Sequence, residues 1–94
     1  RYALTLMELG QHAEAERALF ESVKLYPHDA ASRVALGRLY LKVRAEDMAR
    51  TQFEMALRVD PFDPEIHAGL AEVGLRTGDR RLEERARENL KLLE

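Results

Sequence analysis

The sequence predicts an all-α fold, a solenoid of stacked antiparallel helix hairpins, and three observations support this prediction. Alanine, leucine, glutamate and arginine dominate the 94 residues, and only five glycines and three prolines interrupt them, which favours helices over sheets. Residues of one type recur at a fixed offset of 34, as from Pro27 to Pro61. The turns between periodic segments span about two to four residues, which makes neighbouring helices antiparallel. Because one hairpin cannot bury its apolar face alone, we expect the hairpins to stack.

The repeat aligns small residues with small ones, apolar residues with apolar ones and proline with proline. The aligned sets are Ala3, Gly37 and Ala71; Leu6 and Tyr40; Ala15 and Ala49; Leu19 and Phe53; Ser22 and Ala56; Leu25 and Val59; Pro27 and Pro61; Asp29 and Asp63; and Leu36 and Leu70. So many matches at one offset are hard to obtain by chance. We therefore expect a single array over residues 1–94, made of the units 1–27, 28–61 and 62–94.

The first unit enters in the middle of a helix, turns at Gly10 and continues with a second helix from about His12 to Leu25. The chain begins without an initiator methionine, already in a helical pattern, and no signal peptide is visible. We therefore expect a fragment of a longer protein. The sequence assigns it no compartment, and the cytoplasm is only the default.

The second unit shows both of its helices. Asp29 is placed to cap a helix that runs to about Val43, because its carboxylate can accept hydrogen bonds from free backbone N–H groups. A turn near Arg44 leads to a second helix over about Glu46–Val59. Pro61 follows the end of this helix, since proline lacks an N–H donor and biases its predecessor away from the helical conformation.

The third unit restarts at Asp63 and Pro64, an N-cap followed by proline at the first helical position. It pauses where Gly78 can adopt a left-handed C-cap and Asp79 can cap the last helix, so we expect six helices in all. The last helix has an apolar stripe at Leu82, Ala86, Leu90 and Leu93 and charged residues elsewhere. Because terminal repeats present a polar outer surface to water, we interpret this helix as a C-terminal cap of the array, which argues against a further repeat after it.

The period and the stretch ALGRLYLKVRAEDMARTQFEMALRVDP resemble the tetratricopeptide repeat. The matching residues of the second unit are Leu36, Gly37, Tyr40, Ala49, Phe53, Ala56, Leu57 and Pro61. The last helix departs from the family pattern, because Glu83 and Arg87 replace a small and an aromatic residue. Arg44 stands where the turn glycine is usual, which predicts either a strained Arg44 or a different turn geometry.

The resemblance implies a right-handed superhelix in which the first helices of successive units line a concave groove for a peptide or helix of a partner protein. The groove positions form ladders of Leu4, Arg38 and Glu72; of Met7, Leu41 and Leu75; and of Glu8, Lys42 and Arg76, flanked by Ala31, Val34, Glu65 and Ala68. Two alternatives stay open. The apolar ladder can pack between neighbouring first helices instead of facing a partner. Arg38 and Glu72 can also pair with each other across neighbouring units.

The sequence contains no catalytic, metal-binding or cofactor-binding signature. His12, His28 and His67 have no ligand partners at metal-binding spacing, and we interpret them as surface or turn residues. The formal net charge of −2 and the absence of cysteine argue against nucleic-acid wrapping, disulfides and thiolate metal sites. No apolar run approaches the roughly 20 residues needed for membrane insertion.

These expectations favour a non-catalytic scaffold for protein–protein interaction. Its groove cations Arg38, Lys42 and Arg76 would select acidic groups of the partner. The alternative is an assembly or dimerisation segment of a larger protein, which could be an enzyme. In that case an apolar N-terminal end that lacks its preceding repeat, with Tyr2, Leu6 and Leu19, would self-associate.

Gly37 lies in the middle of a predicted helix, where glycine costs about 1 kcal/mol relative to alanine. Its repeat partners Ala3 and Ala71 are also small. We interpret this row as a place where two helices approach closely. We expect a Gly37→Ala change to be tolerated. A Gly37→Leu change should overpack the hairpin and lower the free energy of unfolding by about 1–3 kcal/mol.

Overall fold

A computed structural model describes the backbone of residues 2–93 and the side chains of residues 11–93. Over this part the helices are α1 (Tyr2–Leu25), α2 (Ala30–Lys42), α3 (Glu46–Val59), α4 (Pro64–Thr77) and α5 (Arg80–Leu93). One antiparallel hairpin joins α2 to α3 and the next joins α4 to α5. The hairpins stack through α3 and α4, α2 also contacts α4, and α1 packs against α2. The predicted all-α architecture of stacked hairpins is therefore confirmed.

The turn predicted at Gly10 is wrong, because α1 continues through this residue from Tyr2 to Leu25. The described backbone therefore holds five helices rather than six. A lone glycine weakens a helix by about 1 kcal/mol but does not end it. At Gly78 the next residue, Asp79, caps the following helix, whereas Gly10 is followed by Gln11, which offers no such cap.

The starts of α2, α4 and α5 follow the predicted N-caps. Asp29 accepts the backbone N–H of Ser32 at 3.2 Å and its hydroxyl at 2.6 Å. These two hydrogen bonds, the hydroxyl first, lower the pKa of the Asp29 carboxyl. Asp63 accepts a backbone N–H of α4 at 2.9 Å, and Asp79 accepts one of α5 at 3.1 Å. The predicted starts of these three helices are confirmed. They could be predicted because each start depends on a local capping signal.

Arg44 and Gly78 end the first helices of the two hairpins in the left-handed region. Gly78 has a φ of 75°, as its predicted C-cap role requires. Arg44 has a φ of 61°, so of the two predicted alternatives the strained arginine is confirmed. A side chain with a Cβ adopts this conformation at a cost of roughly 1–2 kcal/mol.

The ring of Phe53 fills the space between α2, α3 and α4. A Cβ added to Gly37 would lie 2.7 Å from the Cζ of Phe53, and one added to Gly69 would lie 2.3 Å from the same atom. The close approach inferred at Gly37 is confirmed. We now expect Gly37→Ala to be mildly destabilising instead of tolerated, because the fully buried ring lies between two helices and has little room to retreat.

His67 is also inside the molecule, which corrects its interpretation as a surface or turn histidine. It is buried in α4, and its Nε2 lies 2.8 Å from the carbonyl oxygen of Pro61, to which an Nε2–H donates. This hydrogen bond joins the start of α4 to the turn that precedes it.

The last helix combines a narrow apolar stripe with a charged surface, as predicted. Ala86 is buried and Leu82 packs partly against the core. Its outer side chains are charged and exposed: Arg81, Glu84, Arg85, Arg87, Glu88 and Lys91. α5 approaches α4 so closely that a Cβ on Gly74 would lie 2.6 Å from the backbone nitrogen of Glu83.

Candidate functional site

The surface shared by α2 and α4 contains the predicted groove residues. Leu4, Met7 and Glu8 lie outside the side chains that the structure describes, so the α1 ends of the three ladders stay predictions. The remaining members lie on α2 and α4, which are in contact. We define these two helices and their exposed side chains as the groove surface.

Two of the predicted groove residues are covered. Val34 is only 4% exposed and Leu41 only 9%, and both belong to the hydrophobic core. For Leu41, the alternative of packing inside the array is therefore correct. Neither side chain has enough free surface to bind a partner, so both are removed from the groove contacts. Ala31 and Ala68, predicted to flank the ladders, are exposed.

The predicted pairing of Arg38 with Glu72 is wrong. Arg38 instead forms an ion pair with Glu65, in the first turn of α4, with 3.0 Å between Nη2 and Oε1. Glu72 pairs along its own helix with Arg76, at 3.0 Å. Each long side chain reaches a nearer partner than the one at the same repeat position, and such exposed pairs contribute about 0–1 kcal/mol.

Arg76 links the two hairpins at the carboxyl end of α2. Its Nη1 donates to the carbonyl oxygen of Leu41 at 2.7 Å and lies 4.0 Å from the Oε1 of Glu46. A carbonyl in the last turn of a helix carries partial negative charge, which a guanidinium stabilises. Arg76 therefore holds α4 against α2 in addition to facing solvent.

An open pocket of about 520 Å³ lies next to this contact. It is lined by Leu41, Lys42, Arg44, Glu46 and Arg76. Among the described residues, Lys42 takes part in no ion pair, and its charge is available to a ligand. Three cations and one carboxylate line the pocket, so its surface favours negatively charged groups.

Leu75 directly precedes Arg76 on α4 and is 59% exposed. It is the described member of the apolar ladder that keeps a free surface, because Leu41 is buried. The groove surface thus offers one exposed leucine among the side chains of Arg38, Lys42, Glu72 and Arg76.

A second, smaller pocket lies between α1 and α2, where sequence reasoning placed no site. Its polar side chains are His12, Glu16 and Tyr40. Burial, and secondly the negative charge of Glu16, raise the pKa of Tyr40 to about 12. The His12 to Glu16 spacing places both on one helix face and was visible in the sequence. The proximity of these two residues to Tyr40 was not visible in the sequence, because it depends on how α1 packs against α2.

Metal sites and membrane-spanning helices are both absent from the described part of the chain. Residues 11–93 contain no group of three or more His, Asp or Glu side chains arranged to hold a metal ion. Within the described helices, none is both long and apolar enough to cross a bilayer.

Stacked antiparallel hairpins whose first helices share a surface define a helical-repeat protein. The family model described as tetratricopeptide repeat matches residues 2–73, and the chain belongs to this family. Modules of the family generally mediate protein–protein interactions and are typically non-catalytic.

The fold is similar to that of MamA, whose structure is known for a point mutant. The TM-score is 0.82 at 20% sequence identity, and the match covers 97% of this chain and 53% of the MamA chain. This similarity shows the fold, and the chain spans about half the length of that protein. No protein of curated function matches the sequence.

Proposed function

We propose that the chain is a non-catalytic module, a single array over residues 1–94, whose groove surface binds an acidic peptide or helix of a partner protein. The observation that carries the proposal is the exposed Leu75, which directly precedes Arg76 of a pocket whose cations outnumber its carboxylate. Interaction surfaces commonly combine an apolar contact with surrounding charges that orient the partner. A segment with an apolar residue next to aspartate or glutamate would match both features.

Lys42 is the cation best placed to bind the partner, because no described carboxylate neutralises it. Arg38 and Arg76 are already paired with Glu65 and Glu72. A partner carboxylate can replace these exposed pairs at low cost, since each contributes about 0–1 kcal/mol. We therefore expect Lys42 to contribute most of the charge selectivity and Arg38 to add to it.

The surface is held by packed helices, which favours binding without reorganisation. The ring of Phe53 packs against both α2 and α4 and so fixes their relative position. The hydrogen bond from Arg76 to the carbonyl oxygen of Leu41 joins the two helices at one end. A surface that is already ordered loses little entropy when it binds.

A selection from a displayed library of random peptides would test this proposal. The wild-type chain should enrich peptides that carry aspartate or glutamate next to an apolar residue. The double variant Arg38→Glu, Lys42→Glu should lose these peptides, while a matched control, Arg58→Glu with Arg85→Glu, changes the same charge on α3 and α5 and should keep them. If the double variant folds, shown by its circular dichroism, and enriches the same peptides, the groove assignment is wrong.

Assembly through the N-terminal part of the array is a second candidate function, favoured by a separate observation. Phe20, Leu25 and Tyr26 are exposed on α1 and the turn after it, and Leu25 is 71% exposed. Sedimentation velocity over a wide concentration range would decide. Assembly predicts a concentration-dependent increase in sedimentation coefficient that a Leu25→Asp variant lacks, and a monomer at all concentrations would contradict it.

A further inference from the structure

The small pocket between α1 and α2 is separate from the groove surface. Its volume is about 240 Å³, and it is lined by His12, Ala13, Glu16, Leu39, Tyr40 and Val43. Its lining combines aliphatic residues with three polar side chains. A pocket of mixed chemistry suits a ligand that has an apolar stem and a polar end.

Two polar atoms in this pocket are buried without a hydrogen-bond partner among the described residues. They are the Nδ1 of His12 and the hydroxyl of Tyr40, a residue that is only 2% exposed. Buried polar atoms in native proteins are almost always paired, so these two atoms indicate a missing partner. Glu16 faces the same hydroxyl closely enough for its charge to act on it, and it forms no ion pair within the described residues.

The three polar side chains together determine which hydrogen-bond donors the missing partner must have. The carboxylate of Glu16 only accepts hydrogen bonds, the Nδ1 of His12 accepts when the ring proton is on Nε2, and the hydroxyl oxygen of Tyr40 can accept through its lone pairs. A primary ammonium group carries three N–H donors and no acceptor, which suits a pocket lined by three groups that can accept. A guanidinium is a planar fork that needs acceptors in one plane, and an anion would be repelled by Glu16.

The aliphatic residues of the lining extend the match to the stem of the ligand. Leu39 and Val43 can contact methylene groups while the charged end reaches the polar side. We propose that this pocket binds the protonated amino group of a lysine side chain from a protein partner. The site does not depend on the groove, and a chain that fails the peptide selection above can still show it.

The test is an NMR titration of the intact chain with Nα-acetyl-lysine N-methylamide. Saturable shift changes should appear at the amides of Ala13, Tyr40 and Val43, with an apparent Kd of about 1 mM, as expected for a single small contact. The isosteric probe Nα-acetyl-norleucine N-methylamide lacks the ammonium group and should produce none of these changes. Alanine amide carries an α-amino group without the stem, and it should bind at least about tenfold more weakly than the lysine probe.

Single substitutions identify the groups that hold the ammonium. Glu16→Gln should weaken binding about tenfold, because it removes the negative charge at nearly constant shape. Tyr40→Phe keeps the buried ring and should weaken binding about threefold by removing an acceptor. Glu14→Gln is the matched control, since Glu14 is exposed on the same helix, and it should bind the lysine probe like the wild type.

Several results would overturn the proposal. Equal binding of the norleucine probe would show a purely apolar contact, and equal binding of an arginine analogue would show that the pocket does not select an ammonium. A folded Glu16→Gln variant with unchanged affinity would remove the assigned charge. Absence of saturable shifts would mean that the pocket holds solvent only.

Discussion

The two complete hairpins place large and small residues at opposite sides of the same contact. In the hairpin of α2 and α3, the buried Tyr40 occupies the position that Gly74 occupies 34 residues later, in the hairpin of α4 and α5. Gly74 approaches the backbone of Glu83, and the residue 34 positions before Glu83 is the small Ala49, so size is exchanged at this repeat position too. What repeats is therefore the space shared by two facing helices rather than the residue at each position.

A second exchange explains the glycine in the middle of α2. Gly37 makes room for the ring of Phe53, whereas the equivalent Ala71 is followed 16 residues later by Arg87, which is exposed and pairs with Glu83 at 2.9 Å. An arginine that points to solvent leaves space for the methyl group of Ala71. The alanine in the last hairpin was thus a poor guide to what α2 tolerates, because its facing residue is different.

The largest effect should come from Gly74→Ala. The new Cβ would meet the backbone nitrogen of Glu83 at 2.6 Å, and α5 would have to move away as a unit. We expect the free energy of unfolding in urea to fall by about 3 kcal/mol. The control Ala71→Gly on the same helix should cost only about 1 kcal/mol through helix propensity. If Gly74→Ala is as stable as the wild type, the close approach of α4 and α5 is wrong.

The matching position in the first hairpin should show a pH-dependent effect instead. A tyrosine in the unfolded chain loses its proton near pH 10, while Tyr40 in the folded chain loses it near pH 12. Between these values the folded state binds more protons, so stability should fall by at most about 2 kcal/mol as pH rises from 10 to 12. Urea unfolding of the wild type and of Tyr40→Phe across this range would measure the difference.

Tyr26 provides the control for that experiment, because its side chain is exposed. Tyr26→Phe should show the same alkaline loss as the wild type, and Tyr40→Phe should show a smaller one. An identical pH dependence of all three chains would contradict the burial of the Tyr40 hydroxyl.

A moderate effect is expected from Gly37→Ala. The methyl group would lie 2.7 Å from the ring of Phe53, which has to shift, while alanine improves helix propensity. We expect a net loss of about 1–2 kcal/mol in thermal or urea unfolding, and a larger loss for Gly37→Leu. A gain in stability for Gly37→Ala would show that the ring retreats freely.

The smallest effect concerns the two turns that follow α2 and α4. Arg44→Gly relieves a left-handed arginine and should stabilise the chain by about 0.5–1 kcal/mol. The reciprocal change Gly78→Ala should destabilise it by about 1 kcal/mol. Melting temperatures of both variants would measure these opposite shifts, and shifts of the same sign would contradict the account.

The sequence predicted the helix ends that depend on local signals and missed those that do not. Asp29, Asp63 and Asp79 act on their own first turns, so their caps can be read from short stretches of sequence. Gly10 resembled a turn only through the repeat, and the helix continues because no cap follows it.

The groove was only partly predictable for a similar reason. Repeat positions indicate which residues lie on the first helices, but the burial of Val34 and Leu41 and the pairing of Arg38 with Glu65 depend on how α2 lies against its neighbours. The small pocket between the consecutive helices α1 and α2 brings together side chains that are not neighbours in the chain, with Glu16 and Tyr40 separated by 24 residues. Tertiary contacts of this kind follow from helix packing, and no short stretch of the sequence indicates them.

The central claim is that Phe53 fits into the space left by glycines on α2 and α4 and so sets the position of the groove surface. A double-mutant cycle of Gly69→Ala and Phe53→Leu tests it most directly, since a Cβ on Gly69 would lie 2.3 Å from the ring. Gly69→Ala should cost about 2 kcal/mol in the wild type and little in the Phe53→Leu background, a coupling of roughly 1–2 kcal/mol. Additive effects of the two changes would contradict the account.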